Sequence, residues 1–354
     1  MQEAETREAV FAPEPFEFTG KGSEYFGIWI VNLVLSILTL GIYSAWAKVR
    51  RQKYFYQHTR VAGGGFDYHG DPISILKGRL LAFGLLVAYS LAKEFPGWPL
   101  VVAIVLIIVI APLLLRSALR FRLHNSSYRG LRFTFRGGVG ESYILFFVYG
   151  LFTLVTAYLA APLFHQRLKR YQHGRSWFGK TPFHFSAGVG SFFGVYLVVI
   201  GMVIAAFIGA AFLVGGFASA LAQLQQGQPD PASMVSAMVT IFALIFLLSM
   251  IIGPLFQSRI GNLIWNNTQL GESRFESRLR FWPLFLIYTT NFLMILLTLG
   301  LFIPWAAVRV TRYRAECLSF LPAVSVDEFV AETGEEVTAS GEEMTEMFDF
   351  DIGL

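Results

Sequence analysis

The sequence predicts an all-α polytopic membrane protein of about seven transmembrane helices with internal repeats, its linkers holding basic interfacial helices and short β-hairpins. Three observations carry this. First, 55% of residues are hydrophobic and only 15% are charged, where soluble domains carry about 25% charge. Second, several apolar runs approach the roughly 20 residues that cross a hydrocarbon core. Third, Leu38–Tyr54, LTLGIYSAWAKVRRQKY, recurs without a gap as Leu297–Tyr313, LTLGLFIPWAAVRVTRY, and the same offset pairs Asn32 with Asn291. Ungapped identity of that extent marks an internal repeat. Each copy runs from an apolar stretch through Gly and an aromatic to arginines at helical spacing. That is the pattern of a membrane helix that bends at its exit and lies along the headgroups.

In chain order, residues 1–15 form a polar leader without the basic flank and apolar core of a secretory signal. Phe16-Glu17-Phe18 alternates like a strand and closes on Gly20 and Gly22. Residues 25–43 form the first apolar segment, followed by Lys48, Arg50, Arg51 and Lys53 and a hairpin pattern from Thr59 through Gly63 to Tyr68. Segments 75–92 and 98–115 are joined by the tight turn Glu94–Gly97, and Arg116 opens the next basic linker. Segment 142–163 leads to a linker holding Arg167 and Lys169. Segments 190–216 and 233–256 follow, then Arg259–Arg280, segment 283–303, and Arg309, Arg312 and Arg314. The repeat-containing region ends near residue 319, and residues 320–354 form an acidic tail without Lys or Arg.

Aligning the linkers extends the repeat to five places. Ala45, Pro112, Pro162, Pro254 and Pro304 each stand where an apolar run ends, and Arg50, Arg116, Arg167, Arg259 and Arg309 follow. Proline removes a backbone donor and bends a chain that must turn. Aromatic-x-aromatic strands come next as Phe66/Tyr68, Phe133/Phe135 and Phe183/Phe185, with Phe275 a degenerate version and Phe16/Phe18 the trailing half of such a unit. In Leu131–Arg136 the apolar residues take one face and Arg132, Thr134 and Arg136 the other. A lone hairpin is marginal in water, so hairpins from different linkers are expected to pair with each other or lie Phe-down on the membrane.

For topology, paired segments return to one side whereas the single segments 25–43, 142–163 and 283–303 cross once. Counting basic residues, this places the N-terminus in the periplasm and the C-terminus in the cytoplasm. A rival arrangement makes the single segments re-entrant and every basic linker cytoplasmic.

The candidate functional residues follow from the same pattern. The five arginines are topology anchors or, together, a pocket for anionic lipid headgroups. Trp46 and Trp305 suit interfacial anchoring. Asn32 and Asn291, polar residues inside apolar segments, suit an interhelical hydrogen bond or substrate contact. Gly201, Ala205 and Gly209 form a small-residue face. No Asp or Glu stands mid-span, which argues against a carrier built on a buried carboxylate. Cys317 is alone, the six His are scattered, and no catalytic, nucleotide or metal motif occurs. No enzyme activity, cofactor, metal or nucleic-acid partner is therefore expected.

The patterns FxFTGxG, LTLGIYxxWAKVRRQKYFYxHT and GxxFxYxGDP, with the C-terminal copy and the closing Phe348–Leu354, resemble the YjgN-type family of bacterial inner-membrane proteins. Ala45 departs from the Pro expected there. The resemblance implies an inner-membrane location and a fold, but neither substrate nor catalytic residues, since the family's function is unknown. It also implies a membrane metallopeptidase as partner. Two functional classes follow: a transporter, channel or lipid-handling protein, or a non-transporting scaffold whose acidic tail docks a partner.

Overall fold

The computed structural model describes residues 12–95, 97–213, 231–328 and 330. It is mostly helical and contains one eleven-stranded antiparallel sheet. The sheet corrects the all-α expectation. Its strands are β1 (Glu14–Pro15), β2 (Glu17–Phe18), β3 (Thr59–Val61), β4 (Gly64–Tyr68), β5 (Ser126–Tyr128), β6 (Leu131–Phe135), β7 (Ser176–Phe178), β8 (Thr181–Phe185), β9 (Thr268–Leu270), β10 (Ser273–Ser277) and β11 (Leu318–Leu321). Hairpins from different linkers do pair, through β4–β5, β6–β7, β8–β9 and β10–β11.

The strand order runs from β1 through β11 back to β2. β1 and β2 are two halves of one segment, broken only at Phe16, whose N–H donates to the Leu318 carbonyl at 2.9 Å. One half pairs with β11 and the other with β3. The sheet therefore closes on itself as a barrel without a free edge. The turns suit tight hairpins: Ala62-Gly63 and Arg129-Gly130 both have successive positive φ, as two-residue type I′ loops require. Glu14 and Pro15, the last residues of the polar leader, form β1, and β11 runs to Leu321.

Between strands the chain makes helices: α1 (Gly22–Leu38), α2 (Ser44–Gln57), α3 (Pro72–Glu94), α4 (Trp98–His124), α5 (Val139–Tyr143), α6 (Leu151–Val155), α7 (Ala161–Gly174), α8 (Val189–Leu213), α9 (Pro231–Trp265), α10 (Phe281–Leu297) and α11 (Ile303–Glu316). A π-helical stretch, Ile144–Gly150, joins α5 to α6. The helices pack as a ring of neighbours that α1 and α11 close against each other, like the sheet above them.

Among the described residues four helices, α3, α4, α8 and α9, are long and apolar enough to cross a membrane; the others of apolar character, 22–38, 139–155 and 281–297, are shorter. A 17-residue helix rises only about 25 Å. Each is followed by a basic helix that folds back on it: α2 on α1, α7 on the π-helical stretch between α5 and α6, and α11 on α10. All five linkers deliver strands to one sheet, so these three pairs leave the sheet and return to it. The described residues thus show four helices long enough to cross rather than seven, and the first and last described strands, residues 14–18 and 318–321, lie in one sheet rather than on opposite sides. The reason is backbone pairing: an unpaired barrel edge costs more than a short helix turning back.

The prolines also act differently from the expectation. Pro162 and Pro304 begin the returning helices α7 and α11, where a missing N–H costs nothing. Pro112 and Pro254 lie inside the unbroken helices α4 and α9, so no separate surface helix exists there. Among the described residues, a Cβ added at Gly201 would meet nothing; Gly209 lies outside the residues whose packing is described.

The three short hairpins share one turn. Leu40-Gly41, Leu299-Gly300 and Ala157-Tyr158 each have two successive positive φ values. Thr39, Thr298 and Thr156 precede them. Each hydroxyl donates to a carbonyl four residues back and accepts an N–H four residues on, at 2.6–3.1 Å. One side chain thereby satisfies orphan groups of both helices where water is scarce. Leu40 and Leu299, 95% and 94% exposed, make these tips apolar.

Gly41 has φ +91° and open space around a would-be Cβ, so Gly41→Ala acts through backbone strain alone. It is expected to destabilise by about 1–2 kcal/mol in denaturant unfolding of the micelle-solubilised protein. Gly27→Ala, in mid-helix with equal space, should be neutral or stabilising. Equal losses at both positions would contradict the tip assignment.

Candidate functional site

The structure brings the predicted polar residues and arginines together in pairs. Arg50 Nη1 donates to Asn32 Oδ1 at 3.3 Å and to Tyr43 Oη at 3.1 Å. Arg309 Nη1 donates to Asn291 Oδ1 at 2.7 Å, and Asn291 Nδ2 donates to the Ala306 carbonyl at 3.4 Å. Asn32 and Asn291 are buried, and each brace joins the two limbs of one helical hairpin. In the middle hairpin Arg167 lies instead over the Tyr149 ring at 5.2 Å. Arg116 Nε donates to the Gly137 carbonyl at 2.8 Å, and Arg259 is exposed on α9. Four of the five arginines thus hold hairpins or loops within the protein.

A second tie closes each hairpin at its sheet end. Tyr54 Oη accepts the Lys21 N–H and donates to the Lys21 carbonyl, both at 2.8 Å. Tyr313 Oη does the same with Arg280, at 3.0 and 3.4 Å, and Tyr171 Oη donates to the Gly138 carbonyl at 3.2 Å. The Thr, Arg and Tyr positions of the LTLG motif are therefore its tip, middle and base fastenings. The tryptophans pack against protein. Trp46 is half-buried and stacks on Tyr43 at 6.1 Å; Trp305 lies 5.0 Å from Phe26 and fills the space over Gly22.

With those arginines occupied, the open cationic surface is elsewhere. A cavity of about 670 Å³ lies among α1, α2, α3 and the start of α11. Lys48, Arg51 and Gln52 line it from α2, Arg79 from α3, and Asn32 and Ser36 from α1. Arg79 also donates to the Ser44 hydroxyl. No carboxylate is among its described lining residues. Among the basic residues of the first linker, Lys48 and Arg51 are three apart and share a helix face, whereas Arg50 points to the hairpin interior. That spacing was available in the sequence; that Arg79 joins them from another helix was not.

The barrel interior is a separate cavity of entirely different character. Phe16, between β1 and β2, and Phe66, Phe133, Phe183 and Phe275, one from each of the four hairpins, form an arc with successive ring centroids 6.1–6.5 Å apart. Val61, Tyr128, Phe178, Leu270 and Phe320 complete the buried cluster. Below it His173, on the sheet end of α7, touches the Phe185 and Trp265 rings and approaches Thr268 Oγ1 at 3.3 Å. Burial, and secondarily the charges of Lys169 and Arg122, push this histidine down to about 4. Among the described residues no group of three His, Cys, Asp or Glu could hold a metal.

Residues 13–347 match the model of a family described as "Bacterial protein of unknown function (DUF898)". The chain belongs to this family. It is 30% identical over 144 residues to inner membrane protein YjgN of Salmonella typhimurium, covering 40% of this chain and 36% of that one. Against inner membrane protein YjgN of Escherichia coli K12 the identity is 29% over 136 residues, 38% of this chain and 34% of the relative. The matched region thus spans about a third of these curated relatives. No solved structure matches.

Two outcomes follow for this family member. Asn291→Ala and Arg309→Ala should each destabilise, by about 1.5–3 kcal/mol for a hydrogen bond to a charged group. The double variant should lose clearly less than their sum in a double-mutant cycle; full additivity would show that the brace carries no coupling. For His173, the folded protein holds fewer protons than the unfolded chain between about pH 4 and the reference value near 6.5. Its contribution is full above that window and is lost as pH falls through it. His173→Asn should therefore flatten the pH dependence of unfolding in that window, and parallel profiles would refute it.

Proposed function

We propose that this protein is a non-enzymatic, multi-pass inner-membrane protein that binds and handles anionic lipid, its cationic cavity taking the headgroup. The supporting observation is the convergence of Lys48, Arg51 and Arg79 from two helices on one cavity with no described acidic liner. A phosphate satisfies such a cluster, because unpaired cations inside a membrane protein are costly and charge-assisted bonds to phosphate are strong. Asn32, Ser36 and Gln52 supply neutral polar partners for a headgroup. The relatives' description as inner membrane proteins and the four long apolar helices support the location. The sheet face, where the basic linkers converge, then faces the cytoplasm by the positive-inside rule, with both Glu14–Phe18 and Leu318–Leu321 on that side. The five-place alignment of Ala45 and its proline counterparts supports descent of the helix-plus-hairpin units from one repeated element.

The second reading, a scaffold with a docking tail, rests on the acidic residues after Leu321, whose membrane-protein partner in this reading is a metallopeptidase. Val326 and Val330 at the tail's root pack against the barrel and Asp327 pairs with Arg129, which supports a tail anchored to its own chain.

Native mass spectrometry of the detergent-purified protein tests the lipid reading. Wild type should retain anionic phospholipid in preference to phosphatidylethanolamine, and Lys48→Gln/Arg79→Gln should lose most of it. Arg309→Ala, which removes a charge outside the cavity, should retain it. Equal retention by all three proteins would sink the cavity assignment.

A further inference from the structure

The barrel interior holds a cavity of about 540 Å³, within the range of about 300–1,000 Å³ typical of small-molecule sites. Its wall is the phenylalanine arc and its aliphatic neighbours. An apolar lumen of this size is not required to close a barrel, since interiors of small barrels are ordinarily filled by side chains. Its two ends differ. At the hairpin-turn end Val326, from the segment following β11, covers the opening, and the Arg129–Asp327 ion pair fastens that segment to the β5–β6 turn. At the helix end the liners include two guanidinium groups, Arg122 from the last turn of α4 and Arg314 from the last turn of α11.

Both arginines line this space and are exposed. Arg314 also donates to Gln257 and to the Tyr288 hydroxyl at 3.0 Å, both neutral partners. The Arg122 charge also acts on the nearby Lys169. No carboxylate is among the described residues lining it. The cavity is thus apolar along its length and cationic at one end.

We propose that the barrel lumen binds a single-chain anionic amphiphile of the fatty-acid class, its hydrocarbon chain among the phenylalanines and its carboxylate on Arg122 and Arg314. One chain suits a narrow lumen of this volume, ringed by strands and entered from one end. The covered turn end makes the helix end the entrance. This site is separate from the headgroup cavity of the first hairpin, and the two are tested by different residues.

The test uses the full chain in phosphatidylcholine nanodiscs with cis-parinarate, a fluorescent fatty-acid anion, read by energy transfer from tryptophan; Trp265 lines the lumen. Transfer should saturate above the level of protein-free discs. The Arg122→Gln/Arg314→Gln protein should bind roughly tenfold or more weakly, as expected on losing charge-assisted hydrogen bonds. Arg122→Lys/Arg314→Lys should keep most of the affinity, and Lys48→Gln/Arg79→Gln all of it. Parinaryl alcohol, the neutral analogue, should bind wild type as weakly as the anion binds the Gln variant. That comparison needs no mutation, so it decides the matter even if the Gln variant does not fold. Absence of saturable transfer, equal binding of anion and alcohol, or wild-type affinity in a folded Gln variant would overturn the assignment.

Discussion

The structure depends on how a five-residue stretch near the N-terminus closes the sheet. Glu14–Pro15 pairs with β11 and Glu17–Phe18 with β3, so the first and last parts of the described chain are hydrogen-bonded neighbours. Short strands of three to five residues cannot stand alone in water; a ring gives each a partner on both sides. Closure then dictates the rest. Every linker must reach the same sheet, so every helical excursion between linkers must return to it. The short segments therefore turn back, and the paired long segments, which are long and apolar enough to cross, leave the sheet and return to it together.

Turning back carries its own requirement. A turn between two helices leaves backbone groups without partners, and lipid supplies none. The tip threonines, with two left-handed residues after each, meet this need locally, and the Arg–Asn and Tyr–backbone ties hold the limbs together further down. Thus residues that look like a headgroup-binding pattern in one dimension are largely internal fastenings in three. The charges left over for ligands are those facing neighbouring helices: Lys48, Arg51 and Arg79 at the first hairpin, and Arg122 and Arg314 beneath the barrel.

Much of this was legible from residue patterns. Membrane character follows from composition, and the hairpins from alternation and Gly-containing turns. The partnership of different hairpins follows from the instability of a single one, and Phe16/Phe18 as the missing half of a unit from its spacing. The side of the membrane was not legible for the single segments. Residues 25–43 and 283–303 have the apolarity of spans, and hydropathy does not record whether the next helix folds back. Arg50 and Arg309 could be singled out, as could Asn32 and Asn291, but their contacts with each other depend on the angle between two helices.

Local chemistry determined by sequence alone is therefore of two kinds: which stretches avoid water, through side-chain hydrophobicity, and which turn or alternate, through Gly, Thr and residue period. These properties belong to short windows and need no knowledge of distant residues. The tertiary structure alone decided the closed barrel, the common side of all linkers, and the separation of fastening arginines from ligand-accessible ones. Each of those rests on pairing between residues far apart in the chain, such as Phe16 with Leu318, where backbone hydrogen bonds rather than local preference select the partner.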